Sequence, residues 1–154
     1  MKKILVWILA VICIFLVCGC TNNTVMDSEI EVCAFVKGIK DDVITIDIAE
    51  YVTSKDKHRI SELNLTDSDM PNGYYIHNPE TVLEEFALTK ETMYNFIDWK
   101  NDFVQKGENR EFSTTNKDGF IKYLNTYEDS QPKMPFFFKI SGKEVISITE
   151  KPMM

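Results

Sequence analysis

The clearest structural signal in the chain is the stretch VITIDIAEY, residues 43–51. Its three isoleucines alternate with smaller or polar side chains, and this period of two is typical of a β-strand with one buried face. Residues 30–39, which come just before it, alternate in the same way, with Val32, Ala34 and Val36 on one face. Lys40-Asp41-Asp42 between the two runs is turn material. The sequence therefore predicts two successive strands.

The same reasoning extends along the rest of the chain. Shorter strands are predicted at residues 74–77, 83–88, 92–99 and 111–114. The last predicted pair is a hairpin around Ser141-Gly142, because apolar residues alternate on both sides of that turn. Its inward positions are expected to be Phe136, Phe138 and Ile140 on the first strand, with Ile146 and Ile148 on the second.

Two helices are expected between these strands. Residues 53–63 are polar and predict a short surface helix, with Thr53 and Asp56 as a capping box. A second capping box, Thr115 with Asp118, precedes apolar residues that share one helical face. That face consists of Phe120, Leu124 and Tyr127.

These elements define the expected fold class. Apolar and polar residues alternate in these predicted strands, whereas strands of parallel sheets are usually continuous apolar runs. Antiparallel pairing is therefore favoured. We expect a mainly β domain, either a small, partly open antiparallel barrel or a curved sheet, with one helix packed across it. A two-layer α+β sandwich is the alternative. The 154 residues leave room for one such domain, at residues 30–151.

The first residues have the parts of an export signal. Lys2 and Lys3 precede an uncharged apolar run over residues 4–17, followed by small residues. The exit, Val17-Cys18-Gly19-Cys20, resembles a bacterial lipobox. The resemblance implies that residues 1–19 are a signal peptide and that Cys20 becomes the lipidated N-terminus. Residues 20–29 would then be a polar tether, which predicts a lipid-anchored protein on the extracytoplasmic face of a cell membrane.

The net charge argues against one class of partner, and the cysteine count argues against an intramolecular disulfide. Loss of Lys2 and Lys3 with the signal leaves 15 basic against 24 acidic side chains, a net charge of −9. Such a domain repels phosphate backbones, so no nucleic-acid partner is expected. Cys33 is the one cysteine left beside the lipidated Cys20, so no intramolecular disulfide forms and Cys33 is expected to be a small buried core residue.

Catalytic and metal-binding patterns are weak. Phosphate-binding loops, nucleophile elbows and paired CxxC motifs are missing, and no cofactor is expected. Asp67-Ser68-Asp69 begins like a calcium loop, but Pro71 and Asn72 stand at positions five and six, where an EF-hand needs Asp or Asn and then Gly. Asp67 and Asp69 remain weak candidates for a metal site of another kind.

Two segments, residues 69–79 and 96–103, combine aromatic, acidic and amide side chains. Tyrosine and tryptophan provide large contact areas with a polar handle, and neighbouring acids bind amines, cations or sugar hydroxyls. The candidate binding surface is therefore Tyr75, Asn78, Asp98, Trp99 and Asp102. Trp99 is expected at a rim of the barrel, because the alternating pattern ends there and a charged stretch begins.

The body of the chain resembles, loosely, uncharacterised domains of secreted and lipid-anchored bacterial proteins. The resemblance rests on Ala49-Glu50-Tyr51, on Asn72 to Ile76 with Asn78, on Asp98-Trp99, and on the closing strand to Glu150. It implies location and modular architecture, and no activity.

Three functions fit these observations. The first is a non-catalytic envelope module that binds a protein, a glycan or a peptide. The second is an inhibitory or self-protection lipoprotein that caps an exported partner. The third is a carboxylate-based hydrolase using acids such as Asp98 and Asp102, whose pKa values would have to be separated by burial.

Overall fold

The computed structural model describes residues 28–126 and 135–151. The predicted signal peptide, Cys20 and most of the tether fall outside these residues. Along the described chain the order of elements is β1 (Glu29–Lys40), β2 (Val43–Thr53), α1 (Lys57–Glu62), β3 (Tyr74–His77), β4 (Leu83–Ile97), β5 (Glu111–Thr114), α2 (Lys117–Asn125), β6 (Phe136–Ser141) and β7 (Glu144–Thr149). The prediction of a mainly β fold with a curved sheet is confirmed.

The sheet curls into a ring. Its strand order is β3-β2-β1-β6-β7-β4-β5, and an additional pairing of β2 with β4 joins the two sides, so five strands form the ring while β3 and β5 extend it. β4 is one long strand where two were predicted, and its length lets it pair with β2 at one end and with β7 and β5 further along.

One pairing departs from the expected antiparallel pattern, since β4 and β7 run parallel. Parallel neighbours need a long connection, and β5, α2 and β6 supply it between these two strands. The described pairings of the other strands are antiparallel. A register shift between Val36 and Gly38 lets β1 bend near its end.

The interior of the ring is filled by alternate residues of the strands and by α2. Phe120 and Tyr123 are buried on the inner face of α2, and Leu124 packs against the same core. Phe96 connects helix and sheet: its ring stacks on Tyr123 with 4.1 Å between the ring centres. The predicted helix face is thus correct for Phe120 and Leu124, whereas Tyr127 lies outside the described residues.

The expected starts of the two helices need correction. Asn116 caps α2, because its side-chain oxygen accepts hydrogen bonds from the backbone N–H groups of Asp118 and Gly119. Thr115 is therefore not the cap. The Asp56 carboxylate does accept hydrogen bonds from the N–H and the hydroxyl of Thr53, both at 2.7 Å, but these bonds form the turn before α1.

No helix of the described residues is long and apolar enough to cross a bilayer.

The final hairpin differs from the prediction at one residue. Ile148 is buried as expected, but Ile146 is exposed, and Val145 takes the inward position. The register explains the change, since Lys139 faces Ser147 while the next residue, Ile140, faces Val145. Ile146 is thus an extra residue in β7, and a bulge of this kind reverses the inward and outward positions.

Candidate functional site

Trp99 lies directly beyond β4, and 49% of its surface is exposed. The prediction that it occupies a rim is confirmed. Its indole Nε1–H donates a hydrogen bond to Glu150, at 3.2 Å. The same carboxylate accepts hydrogen bonds from the Ile97 N–H and the Tyr123 hydroxyl, at 2.8 and 2.5 Å. Trp99 is therefore held to the end of the barrel by its polar atom, while its ring faces solvent.

Asp98, the neighbour of Trp99, is not a surface residue. Its carboxylate is buried and accepts hydrogen bonds from the backbone N–H groups of Asp102, Phe103 and Val104, at 2.8–2.9 Å. Burial alone would raise the pKa of Asp98, but these N–H donors outweigh it and hold the pKa below its ordinary value. Asp98 thus organises the loop that follows β4.

Asp98 and Asp102, the two candidate catalytic acids, are in different environments. Asp102 is exposed, whereas both oxygens of the Asp98 carboxylate are engaged with backbone N–H groups. General acid–base catalysis by two carboxylates needs groups that can both reach a substrate. The geometry therefore gives Asp98 a structural role and leaves Asp102 and Trp99 as the accessible members of this rim.

The other two candidates, Tyr75 and Asn78, lie elsewhere on the molecule. Asn78 follows β3 and its amide contacts Asp47 at 3.4 Å. Asp47 is opposite Leu83, at the start of β4, whereas Trp99 follows its end. The five predicted surface residues thus belong to two regions at opposite ends of a long strand.

Asp67 and Asp69 do not assemble a metal site with other acids. The Asp69 carboxylate accepts hydrogen bonds from the Thr66 hydroxyl and N–H, at 2.6 and 2.8 Å, and these bonds lower its pKa. Within residues 28–126 and 135–151, no group of three or more His, Cys, Asp or Glu side chains is placed to hold a metal ion.

A groove on the outer face of the sheet is a site that the sequence did not predict. Cys33 faces Ala49 on one neighbouring strand and Phe137 on the other, so three apolar side chains form a row across β2, β1 and β6. Tyr51 and Glu31 lie beside this row, and the five residues, together with Val32 and Ile48, line a groove of about 340 Å³. We call these five residues the outer groove.

Aromatic rings form one side of the outer groove. The ring of Tyr51 meets Phe137 edge to face, with centres 5.0 Å apart, and stacks on Tyr74 of β3 at 5.5 Å. The sequence signal for this surface is the run Phe136-Phe137-Phe138, whose middle ring points away from the core. Alternation alone identifies Phe137 as outward, but it does not show which residues of other strands stand beside it.

A charged side chain lies at the same place. The ammonium group of Lys151 is 3.6 Å from the centre of the Phe137 ring and 2.8 Å from a carboxylate oxygen of Glu31. An aromatic face and a carboxylate both attract a cation. The outer groove thus presents an apolar floor next to a cation-binding edge.

Cys33 is expected to react slowly with thiol reagents. Burial raises the pKa of its thiol to about 12, so at pH 8 only about one molecule in ten thousand carries the reactive thiolate. An aromatic disulfide reagent should label the native protein at least a hundredfold more slowly than the urea-unfolded protein. Labelling of native protein within seconds would contradict the raised pKa and show that the Cys33 thiol is activated.

Replacement of Trp99 by alanine should cost little stability, because half of the side chain is already in solvent. We expect a loss of about 1 kcal/mol, mainly from the hydrogen bond to Glu150. Urea unfolding measures the loss, and Trp99→Phe, which keeps a ring but lacks the N–H, should reproduce most of it. A loss of about 3–5 kcal/mol, as for a buried tryptophan, would contradict the rim position.

Comparisons with known proteins add no relative. No protein-family model matches the chain, and no curated protein or solved structure matches it either.

Proposed function

We propose that this chain is a lipid-anchored binding module on the extracytoplasmic face of a bacterial membrane. The lipobox-like exit at Val17 to Cys20 and the polar tether support the anchor. A tether of ten residues reaches at most about 35 Å when extended. The tether ends at the start of β1, so the beginning of this strand lies within that distance of the lipid.

The outer groove is the observation that carries the binding role. A groove of about 340 Å³ is near the lower end of the range of about 300–1,000 Å³ that ligand sites occupy. It combines aromatic walls with a few polar groups, which is the usual composition of a recognition site.

The hydrolase alternative has less support. It relied on Asp98 as one of two catalytic acids, and the Asp98 carboxylate is buried and engaged with three backbone N–H groups. The proposed partner is therefore a protein, a peptide or a glycan of the envelope that is bound without chemical change.

The anchor is tested by fatty-acid labelling. Cys20→Ala should abolish incorporation of a fatty-acid probe in growing cells and release the protein from the membrane fraction. Cys18→Ala, which removes a cysteine two residues away in the same motif, is the matched control and should be labelled like the wild type. Equal labelling of the Cys20→Ala variant would contradict lipidation at this residue.

The binding role is tested by photocrosslinking in intact cells. A photoreactive phenylalanine at Tyr51, in the wall of the outer groove, should give a discrete adduct of higher mass. The same residue at Lys106, which is exposed in the loop between β4 and β5, is the control and should give none. Failure to obtain an adduct from position 51, with protein levels unchanged, would count against the groove as the working surface.

A further inference from the structure

We propose that the outer groove binds the ammonium group of a lysine side chain on a partner protein, and that Lys151 occupies this position until the partner arrives. The inference rests on the proposed binding function and specifies its chemistry. Lys151 thus acts as an internal stand-in for the ligand.

The contacts of Lys151 define the chemistry of the site. Its ammonium group lies between the ring of Phe137, at 3.6 Å, and the carboxylate of Glu31, at 2.8 Å. The apolar floor formed by Cys33 and Ala49 adjoins this edge. A lysine has a four-carbon stem that packs on apolar surface and a charged head that prefers a carboxylate. The apolar floor of the groove therefore matches the stem of a lysine, and the edge formed by Glu31 and Phe137 matches its ammonium group.

The contact of Lys151 is weak enough to be exchanged. The side chains of Lys151 and Glu31 are 44% and 60% exposed, and ion pairs of this kind contribute about 0–1 kcal/mol. Because the Lys151 ammonium group is in contact with solvent, its contact with the Phe137 ring adds about 0.5–1 kcal/mol. A partner that offers an ammonium group together with further contacts can therefore displace Lys151.

Charge also favours a cationic partner. The mature chain carries a net charge of −9, and displacement of Lys151 leaves the Glu31 carboxylate without this counterion. Amino sugars also carry an ammonium group, but theirs is attached to a ring of hydroxyl groups instead of an apolar stem. The apolar floor beside Glu31 therefore favours a protein lysine.

The test uses a small probe and the full lipidated chain in detergent micelles. The probe is acetyl-Ala-Lys-Ala-amide at millimolar concentration, and its uncharged match contains norleucine in place of lysine. In amide proton–nitrogen spectra, the lysine peptide should shift the signals of Cys33, Ala49 and Phe137, and the norleucine peptide should leave them in place. Equal shifts with both peptides, or shifts with glucosamine and none with the lysine peptide, would overturn the assignment.

Three variants test the exchange. Lys151→Met removes the internal competitor and should tighten binding of the lysine peptide by about threefold or more, whereas Glu31→Gln removes the acceptor and should weaken it by about fivefold or more. Lys122→Met is the matched control, because Lys122 also lies over an aromatic ring, 5.0 Å from the centre of Phe103, but on α2 and outside the outer groove. It should leave the affinity unchanged. Tightening by Lys122→Met as large as that by Lys151→Met would show a general charge effect and overturn the proposal.

Failure of this inference is distinguishable from failure of the binding role. If position 51 crosslinks a partner in cells while the lysine peptide does not bind, the ammonium assignment is wrong and the groove still binds something else. Thermal unfolding of each variant, with melting temperatures near that of the wild type, shows that affinity changes come from the site and not from loss of the fold.

Discussion

Replacement of Asp98 by alanine is expected to destabilise the domain by about 3–5 kcal/mol, because backbone N–H groups that now donate to a buried carboxylate lose their acceptor. Three donors, from Asp102, Phe103 and Val104, lie within 2.8–2.9 Å of that carboxylate. The loop after β4 should lose its fixed shape at the same time. Urea unfolding at pH 7 measures the loss of stability, and amide hydrogen exchange of residues 102–104 reports the loop.

The pKa of Asp98 adds a pH dependence with a definite sign. Burial raises the pKa, but the N–H donors lower it further, to below the ordinary value of 3.8. The folded state therefore holds the charged form more strongly than the unfolded state does. The contribution of Asp98 to stability is complete above pH 3.8 and is lost as the pH falls through the lower, folded pKa. The difference between wild type and Asp98→Ala should shrink over that range.

Asp102 is the matched control for Asp98. It is an aspartate in the same loop, but its side chain is exposed, so Asp102→Ala should change stability by less than about 0.5 kcal/mol. Similar losses from the two alanine variants would contradict the burial of Asp98. If Asp98→Ala is as stable as the wild type, the Asp98 carboxylate is not needed for the fold, and the hydrolase alternative regains its second acid.

Replacement of Ile148 by alanine should also be costly, because this side chain is fully buried in the core formed with Phe138 and Ile140. Removal of three buried carbons leaves a cavity, and we expect a loss of about 2–5 kcal/mol. Chemical denaturation at pH 7 measures it.

The neighbouring isoleucine provides the control. Ile146 is 39% exposed on the outer side of the bulge in β7, so Ile146→Ala should cost less than about 1 kcal/mol. The two variants remove the same atoms from residues two apart in one strand. If both are equally destabilising, the bulge is absent and β7 alternates as its sequence suggests.

The sequence by itself determined the mainly β fold, most strand positions and the helix at Phe120. These features depend on local periodicity, because a strand with one buried face must place apolar residues at every second position. The stretch over residues 43–51 is the best example, since Ile44 and Ile46 are fully buried on the inner face of β2. The exposure of Trp99 was also predictable, because the alternating pattern ends at that residue.

Only the tertiary structure decided three other features: the burial of Asp98, the outward position of Ile146, and the outer groove. Asp98 is buried because the loop after β4 folds back onto its carboxylate, and Ile146 faces outward because pairing with β6 creates the bulge. The groove requires Cys33, Ala49 and Phe137 from three strands, with Phe137 about a hundred residues further along the chain than Cys33. Periodicity within a strand shows which of its residues share a face, whereas the register between strands determines which residues of the neighbouring strands lie beside them.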